Sequence, residues 1–556
     1  MSASSEISLI NFYVVNTNLS YAEGEEEKKI LYFWPPETDL DTQMKNVGLS
    51  EAIIKFTETF NPGKPCEALH TQKTRQLYHN PEKGFWIVMT INLPLVTRSA
   101  SNSYSGGTTL VWGEEEVQDR VFLGVLRHAY RTFCLFSGSF TSLVEKGRSK
   151  VLNKGAGDVD DHYYLLRSRL DHFFSLYLNQ SLRLNHADLL EVFQGVSFLP
   201  LDRRSFLRVR CFLSRAEEDV DWVLRKSGLN ADETQVLYRY LVGSLLPAHL
   251  EGTELQGGSI PRHGRYPPSS SHYGRFVTGP SNLCDGAPIG KMPLVFVNPQ
   301  VPKQNASEGK NNFGVLESEK SKNKEEPFHL LVYRALSATL CLLISDTYSL
   351  TLSDFREIDA ALGPGLTSLA SQVAEMIGGG LAPASPTTPS SAHSSPASSS
   401  SPASASPGFG PHLPPPIIHG SSGPRFLYFN RLNLAVKSSI HLDSRGVGNV
   451  AVTRDVLMML ADINTDLRGY PFNTYETERN DNHHDKSLQK RIQPSYKSVS
   501  AEIMLNTESD VWVVGKLSDQ REFYVVLCQK NADLMTVNEE VKRLCDSQFK
   551  CIFFHE

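Results

Sequence analysis

The sequence predicts an α/β protein of the α+β type, built from consecutive units in which a mostly antiparallel sheet is flanked by helices. Three observations lead there. Within residues 1–140 the patterning runs strand (7–15), strand (29–34), helix (40–60), strand (69–78), strand (85–89), an order that antiparallel pairing closes into one sheet with a helix on a face. A similar strand-and-helix grammar returns at 328–377 and again at 425–544. With 556 residues, 40% apolar and 21% charged, the chain has the composition of a globular protein and the length for three or four cores.

Residues 40–60 carry two apolar rows at helical spacing, Leu40/Met44/Val47 and Leu49/Ile53/Phe56/Phe60, which predict a helix with one wide face to bury. Pro62 and Gly63 stop it. An extended run 69–78 follows, then a turn at 80–84 and the apolar strand Phe85-Trp86-Ile87-Val88-Met89. Tyr13, Phe33, Trp34 and Trp86 are assigned to the core, because aromatic residues in apolar strands are mostly buried. A long helix over about 114–136, with Phe122, Leu126, Ala129, Phe133 and Phe136 on one stripe, covers the same sheet. In the middle of the chain, strands are predicted at 328–334 and 339–344, followed by a helix at 352–377 that Gly363-Pro364-Gly365 kinks or splits. The last block reads as a strand at 425–430, a helix at 452–463, a hairpin of 511–514 with 522–528, and a closing helix with Leu534, Val537, Val541 and Leu544 on its apolar face. The tail Ile552-Phe553-Phe554 reads as a final edge strand.

Polar or low-complexity stretches punctuate these segments at 98–113, 251–265, 301–326 and 381–424, with a polar loop at 468–493. The Ser/Pro/Ala stretch 381–424 lacks the apolar content to offset the entropy of ordering and reads as a disordered linker. A net charge of -6 and a pI near 6.3 argue against nucleic acid as a partner, since phosphate binders carry a basic stripe. The N-terminus has no basic and apolar signal-peptide pattern, and no apolar run reaches a membrane span, so a cytoplasmic chain is expected. Eight scattered Cys lack zinc spacing and read as free thiols; Asn480-Asp481-Asn482-His483-His484-Asp485 reads as a solvated loop. Gly286-Ala287-Pro288-Ile289-Gly290-Lys291-Met292 is too short for a phosphate loop and ends on Met where a hydroxyl is required. No cofactor, metal or side-chain catalyst is therefore expected.

The element order of residues 1–140 is that of a longin-type domain. The segments Asn46-Val47-Gly48-Leu49-Ser50-Glu51-Ala52-Ile53, Leu69-His70-Thr71-Gln72-Lys73 and Phe85-Trp86-Ile87-Val88-Met89 closely resemble the calcium-caffeine-zinc sensitivity protein family, the vacuolar fusion proteins of the Mon–Ccz pair. The resemblance continues through Val196-Ser197-Phe198-Leu199-Pro200-Leu201-Asp202, His272-Tyr273-Gly274-Arg275-Phe276, Asp510-Val511-Trp512-Val513-Val514-Gly515-Lys516 and Gln529-Lys530-Asn531-Ala532-Asp533-Leu534. It implies three longin/roadblock-like domains, placed at 1–140, 160–380 and 425–556. One departure stands out: the family pattern carries a strand pair before Ser227-Gly228-Leu229, where only residues 219–226 remain, so either the second sheet lacks one or two strands or the gene model has lost an exon.

What the resemblance implies about function is a heterodimeric guanine-nucleotide exchange factor for the late-endosomal Rab GTPase, active in endosome maturation and in vacuole, lysosome and autophagosome fusion. The implied partners are a Mon-family longin subunit and that GTPase, with a third regulatory subunit as a further candidate. Peripheral recruitment to late endosome, lysosome or vacuole membranes would come from phosphoinositides and an upstream Rab, through contacts of the whole complex, because the sequence shows no amphipathic anchor or lipidation motif. The candidate GTPase or partner surface is Asn46, Ser50, Lys55, Thr57 and Thr59 on the polar side of the first helix, with His70, Gln72, Lys73 and Arg75 on the strand. A non-catalytic longin adaptor or tethering scaffold is the alternative, and a SNARE-like role is weakened by the absence of a heptad helix.

Overall fold

The computed structural model describes residues 6–19, 26–62, 65–99, 108–113, 117–154, 162–182, 184–187, 190–199, 201–224, 229–249, 273–297, 325–379, 425–439, 454–469, 500–507, 510–528 and 532–549. The linker 381–424, nearly all of the loop 468–493, the tail 552–554, the stretch 251–265 and nearly all of the stretch 301–326 lie outside these residues.

The first domain forms as the patterning predicts. Strands β1 (Leu9–Asn16), β2 (Ile30–Trp34), β3 (Ala68–His70), β4 (Thr74–Glu82) and β5 (Phe85–Asn92) make an antiparallel sheet in the order β2-β1-β5-β4-β3, with α1 (Leu40–Phe60) between β2 and β3 in the chain. The central strand β5 is buried on both faces. One face, with Tyr13, Val15, Tyr78, Trp86 and Val88, packs against Val47 and Ile54 of α1. The other, with Phe12, Val14, Leu77, Ile87 and Met89, packs against Phe122, Leu126, Ala129 and Phe133 of α2 (Asp119–Ser137). Phe33 is buried as expected, Trp34 only half-buried. Helices α3 (Phe140–Lys154) and α4 (Tyr164–Leu176) extend this second core, with Leu166, Leu170 and Phe174 fully buried and the Phe12 and Phe174 rings 4.8 Å apart.

Two local expectations need correction. The run 69–78 is not one strand: it turns at 71–73, where the Thr71 N–H bonds the Thr74 carbonyl at 3.0 Å, so β3 and β4 form a hairpin. The polar stretch 98–113 contributes to a second hairpin, β6 (Leu95–Ser99) with β7 (Thr108–Trp112). In the first case a turn was read as strand, and in the second Thr and Ser hydroxyls made strand residues look like a loop.

After α4 the chain passes through a π-helical turn (Tyr177–Ser181), α5 (Leu190–Phe193), β8 (Val196–Ser197), α6 (Arg203–Asp219), α7 (Ala231–Tyr240) and α8 (Leu246–His249). The second sheet holds β10 (Leu294–Val297), β11 (Glu326–Ala335) and β12 (Ala338–Ser345), with β9 (Arg275–Phe276) also pairing β11. Beyond β12, where the first sheet places its two N-terminal strands, the described residues supply a single bridge from Leu224 to Ile344. Among the described residues no strand pair lies at that edge, in keeping with the shortened segment 219–226. Helix α9 (Leu352–Gly379) is not split; it runs as one element through Pro364. Its glycines serve close packing, because a Cβ on Gly363 would lie 2.2 Å from Tyr273 Cβ and one on Gly365 2.9 Å from Phe212.

The third sheet combines β13 (Arg425–Asn430), β14 (Ala435–Ser438), β15 (Ser500–Asn506), β16 (Val511–Ser518) and β17 (Arg521–Cys528) in the order β15-β16-β17-β13-β14. This is the topology of the first sheet. Helix α10 (Arg454–Gly469) packs one face through Leu457, Leu460 and Ile463, and α11 (Leu534–Phe549) the other through Val537 and Val541. Leu534, expected on that buried face, is 55% exposed at the helix start. Strand β8 adds a parallel edge to β14, and Phe193 enters this third core, so 193–197 serves a domain more than two hundred residues away in sequence.

Candidate interaction surface

Helix α1 starts at Asp39, whose carboxylate accepts the Thr42 N–H at 2.9 Å. The face it turns to the sheet is Val47, Ser50 and Ile54. Ser50, expected on the exposed polar side, is 1% exposed. Its hydroxyl lies 2.6 Å from the Tyr13 hydroxyl, and the Gln76 amide donates to both at 3.0 and 3.1 Å. Tyr78 closes the network by donating to Gln76 Oε1 at 2.8 Å. Burial pushes the Tyr13 phenol up to about 12 despite these bonds, so it stays a neutral donor. Ser50 is thus a structural residue that satisfies a buried tyrosine.

Docking Ser50 inward rotates the second apolar row outward. Leu49 is 57%, Phe56 64% and Phe60 74% exposed, with the two phenyl rings 4.9 Å apart and Ile53 half-buried beside them. The expected burial of Leu49, Phe56 and Phe60 is therefore overturned. The signal was present in the sequence, since two apolar rows wrap more of a helix than one sheet face can cover. Ile53, Cys66 and Leu69 pack against the same buried cluster, which places this row on the side of β3, the strand at the sheet edge.

The remaining candidates divide between two faces. Lys55 is exposed and bonds Glu51 at 2.6 Å, while Glu51 also holds Lys29 at 2.8 Å. Burial would raise the Glu51 carboxyl, but hydrogen bonds and charge from both lysines hold it below the usual range. The hydroxyls of Thr57 and Thr59 are turned back to helix carbonyls, Thr57 to Ile53 and Ile54 at 2.9 Å and Thr59 to Phe56 at 2.6 Å. Asn46 is half-buried, its carbonyl 3.3 Å from the Tyr13 hydroxyl. His70 and Arg75 point to the opposite face, where His70 Nε2 is 2.6 Å and Arg75 Nε 3.7 Å from the Asp119 carboxylate of α2. Arg75 is 5% exposed and leaves the list of surface residues. Gln72 and Lys73 sit exposed at the β3–β4 turn rather than on a strand, with Lys73 Nζ 6.0 Å from the Trp112 ring centre. The geometry therefore keeps the α1 face with Lys55 and the β3 edge as one surface, apolar at its centre and charged at its margin.

A second exposed feature is α6. Phe212 and Ala216 hold it against α9, while Arg203, Arg204, Arg208, Arg210 and Arg215 stand in solvent with Phe206, Leu207 and Leu213. The sequence reading found no amphipathic element for a membrane surface; this helix has that character once its packed side is known. Among the described residues no helix is long and apolar enough to cross a membrane, and no group of three or more His, Cys, Asp or Glu could hold a metal.

Comparison with known proteins accounts for each domain. A model described as the first longin domain of INTU, CCZ1 and HPS4 matches residues 9–138, and models described as Intu longin-like domains 2 and 3 match 222–363 and 420–544. Over 560 residues the chain is 36% identical to the vacuolar fusion protein CCZ1 homologue of Xenopus laevis, covering 98% of this chain and 97% of the relative. The chain belongs to the CCZ1 family of vacuolar fusion proteins. The Nematostella vectensis homologue is 35% identical over 98% of both chains, and that of Dictyostelium discoideum 24% over 99% of this chain and 98% of its own.

Proposed function

We propose that this CCZ1-family chain is one subunit of a heterodimeric exchange factor that activates the late-endosomal Rab GTPase, with a Mon-family longin subunit as its partner. The observation that carries the reading is the unburied row Leu49, Phe56 and Phe60 beside the β3 edge. A monomeric longin domain gains nothing by leaving two phenylalanines, packed edge to face, in water, whereas a partner longin surface would cover them. Nucleotide exchange needs no side-chain catalyst, because it proceeds by binding the GTPase in a conformation that holds nucleotide and magnesium poorly. Pairing would fix the surface that captures that conformation.

Recruitment to late endosomal, lysosomal or vacuolar membranes belongs to the same proposal. The arginines and exposed apolar residues of α6 support it, since anionic headgroups attract such a helix and its apolar residues enter the interface. A fluorescent GDP release assay tests the core of the reading. The chain alone should leave release near the intrinsic rate, and the pair should accelerate it severalfold or more. Equal activity of the isolated chain would overturn the need for a partner, and no acceleration by the pair would favour the longin scaffold instead.

A further inference from the structure

Helices α2, α4 and α7 border a cleft of about 770 Å³ on the side of the first sheet that faces away from α1. A single stripe of α2 forms one wall, Val125, His128, Thr132 and Phe136, at helical steps of three and four. Two π-helical turns line the same space, Tyr177–Ser181 after α4 and Leu241–Leu245 after α7. Such turns give up regular helix hydrogen bonding and recur at functional sites. The apolar lining is largely aromatic: Phe173 stacks on Tyr177 with ring centres 5.4 Å apart, and Phe136 meets Tyr240 edge to face at 4.8 Å. Leu176 and Val242 stand at the mouth, 48% and 49% exposed.

Two uncharged polar groups open into this apolar space. The His128 imidazole and the Tyr177 phenol are half-buried, and among the described residues neither side chain has a hydrogen-bond partner. Burial, with the charges of Arg239 and Arg131 added, pushes the imidazole down to about 3, while burial followed by the charge of Glu191 raises the phenol; both stay neutral at physiological pH. Both also feel the charge of Arg239, so they share one region of the cleft. The other groups there are already engaged: Arg239 bonds Glu191 at 2.7 and 2.8 Å, and the Thr132 hydroxyl bonds the His128 carbonyl at 2.8 Å. A neutral imidazole offers one N–H and one acceptor nitrogen, and a phenol one O–H that also accepts. A ligand hydroxyl, which donates and accepts, complements the two together.

We propose that this cleft binds an uncharged lipid alcohol of the sterol class, its hydroxyl at His128 and Tyr177 and its rigid apolar body along Phe136, Phe173, Leu176 and Val242. The volume lies within the range of about 300–1,000 Å³ usual for pockets that bury a ligand of that size. A fused-ring body lays flat faces against the aromatic walls and loses little freedom on binding, whereas a flexible chain would lose much. A fatty acid would hold its carboxylate at exposed Arg169 and leave both neutral groups unsatisfied. The bound sterol stabilises the chain by mass action. This inference stands apart from the exchange-factor reading, because α1 packs on the opposite face of the first sheet.

The test is titration of the full-length chain with the fluorescent sterol dehydroergosterol, delivered from cyclodextrin, together with thermal unfolding in the presence of cholesterol. Cholesterol, its methyl ether and oleate are the competitors. Saturable binding with a raised Tm is expected, with displacement by cholesterol, weaker displacement by the ether and none by oleate at equal concentration. Tyr177→Phe keeps the ring stack and removes the hydroxyl, so the affinity should fall about threefold to tenfold, the worth of one hydrogen bond. Gly243→Phe should abolish binding and leave the Tm of the free chain in place, because a Cβ at this position of the wall meets nothing within 4 Å. If Gly243→Phe lowers that Tm, Val242→Asp at the exposed mouth serves instead, and it should weaken binding by setting a charge beside the apolar body. The proposal is overturned by unsaturable uptake, by unchanged affinity in Tyr177→Phe and the wall variant, or by oleate displacing the sterol as well as cholesterol does.

Discussion

Removing the exposed phenylalanines of α1 separates partner binding from folding. Phe56 and Phe60 are 64% and 74% exposed, so most of each ring remains to be covered by a partner. Full burial of such a side chain is worth about 1.5–3 kcal/mol, which leaves about 1–2 kcal/mol for each ring here. The double variant Phe56→Ala, Phe60→Ala should therefore lose about 2–4 kcal/mol of association, roughly a 30- to 1,000-fold rise in Kd for the Mon-family subunit. Stability of the chain itself should change by only about 0.5 kcal/mol, because the lost ring contact at 4.9 Å is offset by the better helix propensity of Ala. The control is Ile54→Ala on the inner face, where the side chain is 3% exposed; it should cost about 2–5 kcal/mol of folding stability. The measurements are calorimetric affinity for the partner, GDP release by the pair, and thermal unfolding of the chain alone. An unchanged Kd in the folded double variant would show that this row is not the partner face, and the functional proposal would lose its support.

Other outcomes follow from neighbouring details. Ser50→Ala should destabilise the first domain by about 1–3 kcal/mol by stranding the Tyr13 and Gln76 partners, while Lys73→Glu at the exposed turn should shift stability by no more than about 0.5 kcal/mol; thermal unfolding of both compares them. Stability should fall on acidification from pH 7 toward 4. Burial and nearby arginines push His79 and His128 down to about 4 and 3, so the unfolded chain, with imidazoles near their ordinary value, takes up protons first. Their contribution is whole above about pH 6.5 and lost below it, and His128→Gln should flatten the Tm profile over that window; a slope equal to that of the parent chain would contradict the assignment. Arg203→Glu, Arg204→Glu, Arg210→Glu on α6 should abolish co-flotation of the complex with anionic vesicles and leave its Tm in place, since all three side chains are exposed; undiminished flotation would move the membrane contact elsewhere.

Local pattern determined much of this protein. Strands with β-branched and aromatic runs, such as Phe85 to Met89, and helices with one strong stripe, such as Phe122, Leu126, Ala129 and Phe133, were legible because each depends on neighbours within a few residues. The family was legible for the same reason. Tertiary structure decided the rest. Whether Ser50 or Phe56 faces the sheet turns on Tyr13, thirty-seven residues from Ser50, whose buried hydroxyl needs a partner; apolar spacing alone favoured the wrong side. Arg75 reads as a surface cation until Asp119 of α2 is set beside it, and the amphipathic character of α6 shows only once Phe212 and Ala216 are seen packed toward α9. Periodicity tells which faces of a segment differ, but burial is a property of what the rest of the chain brings against them.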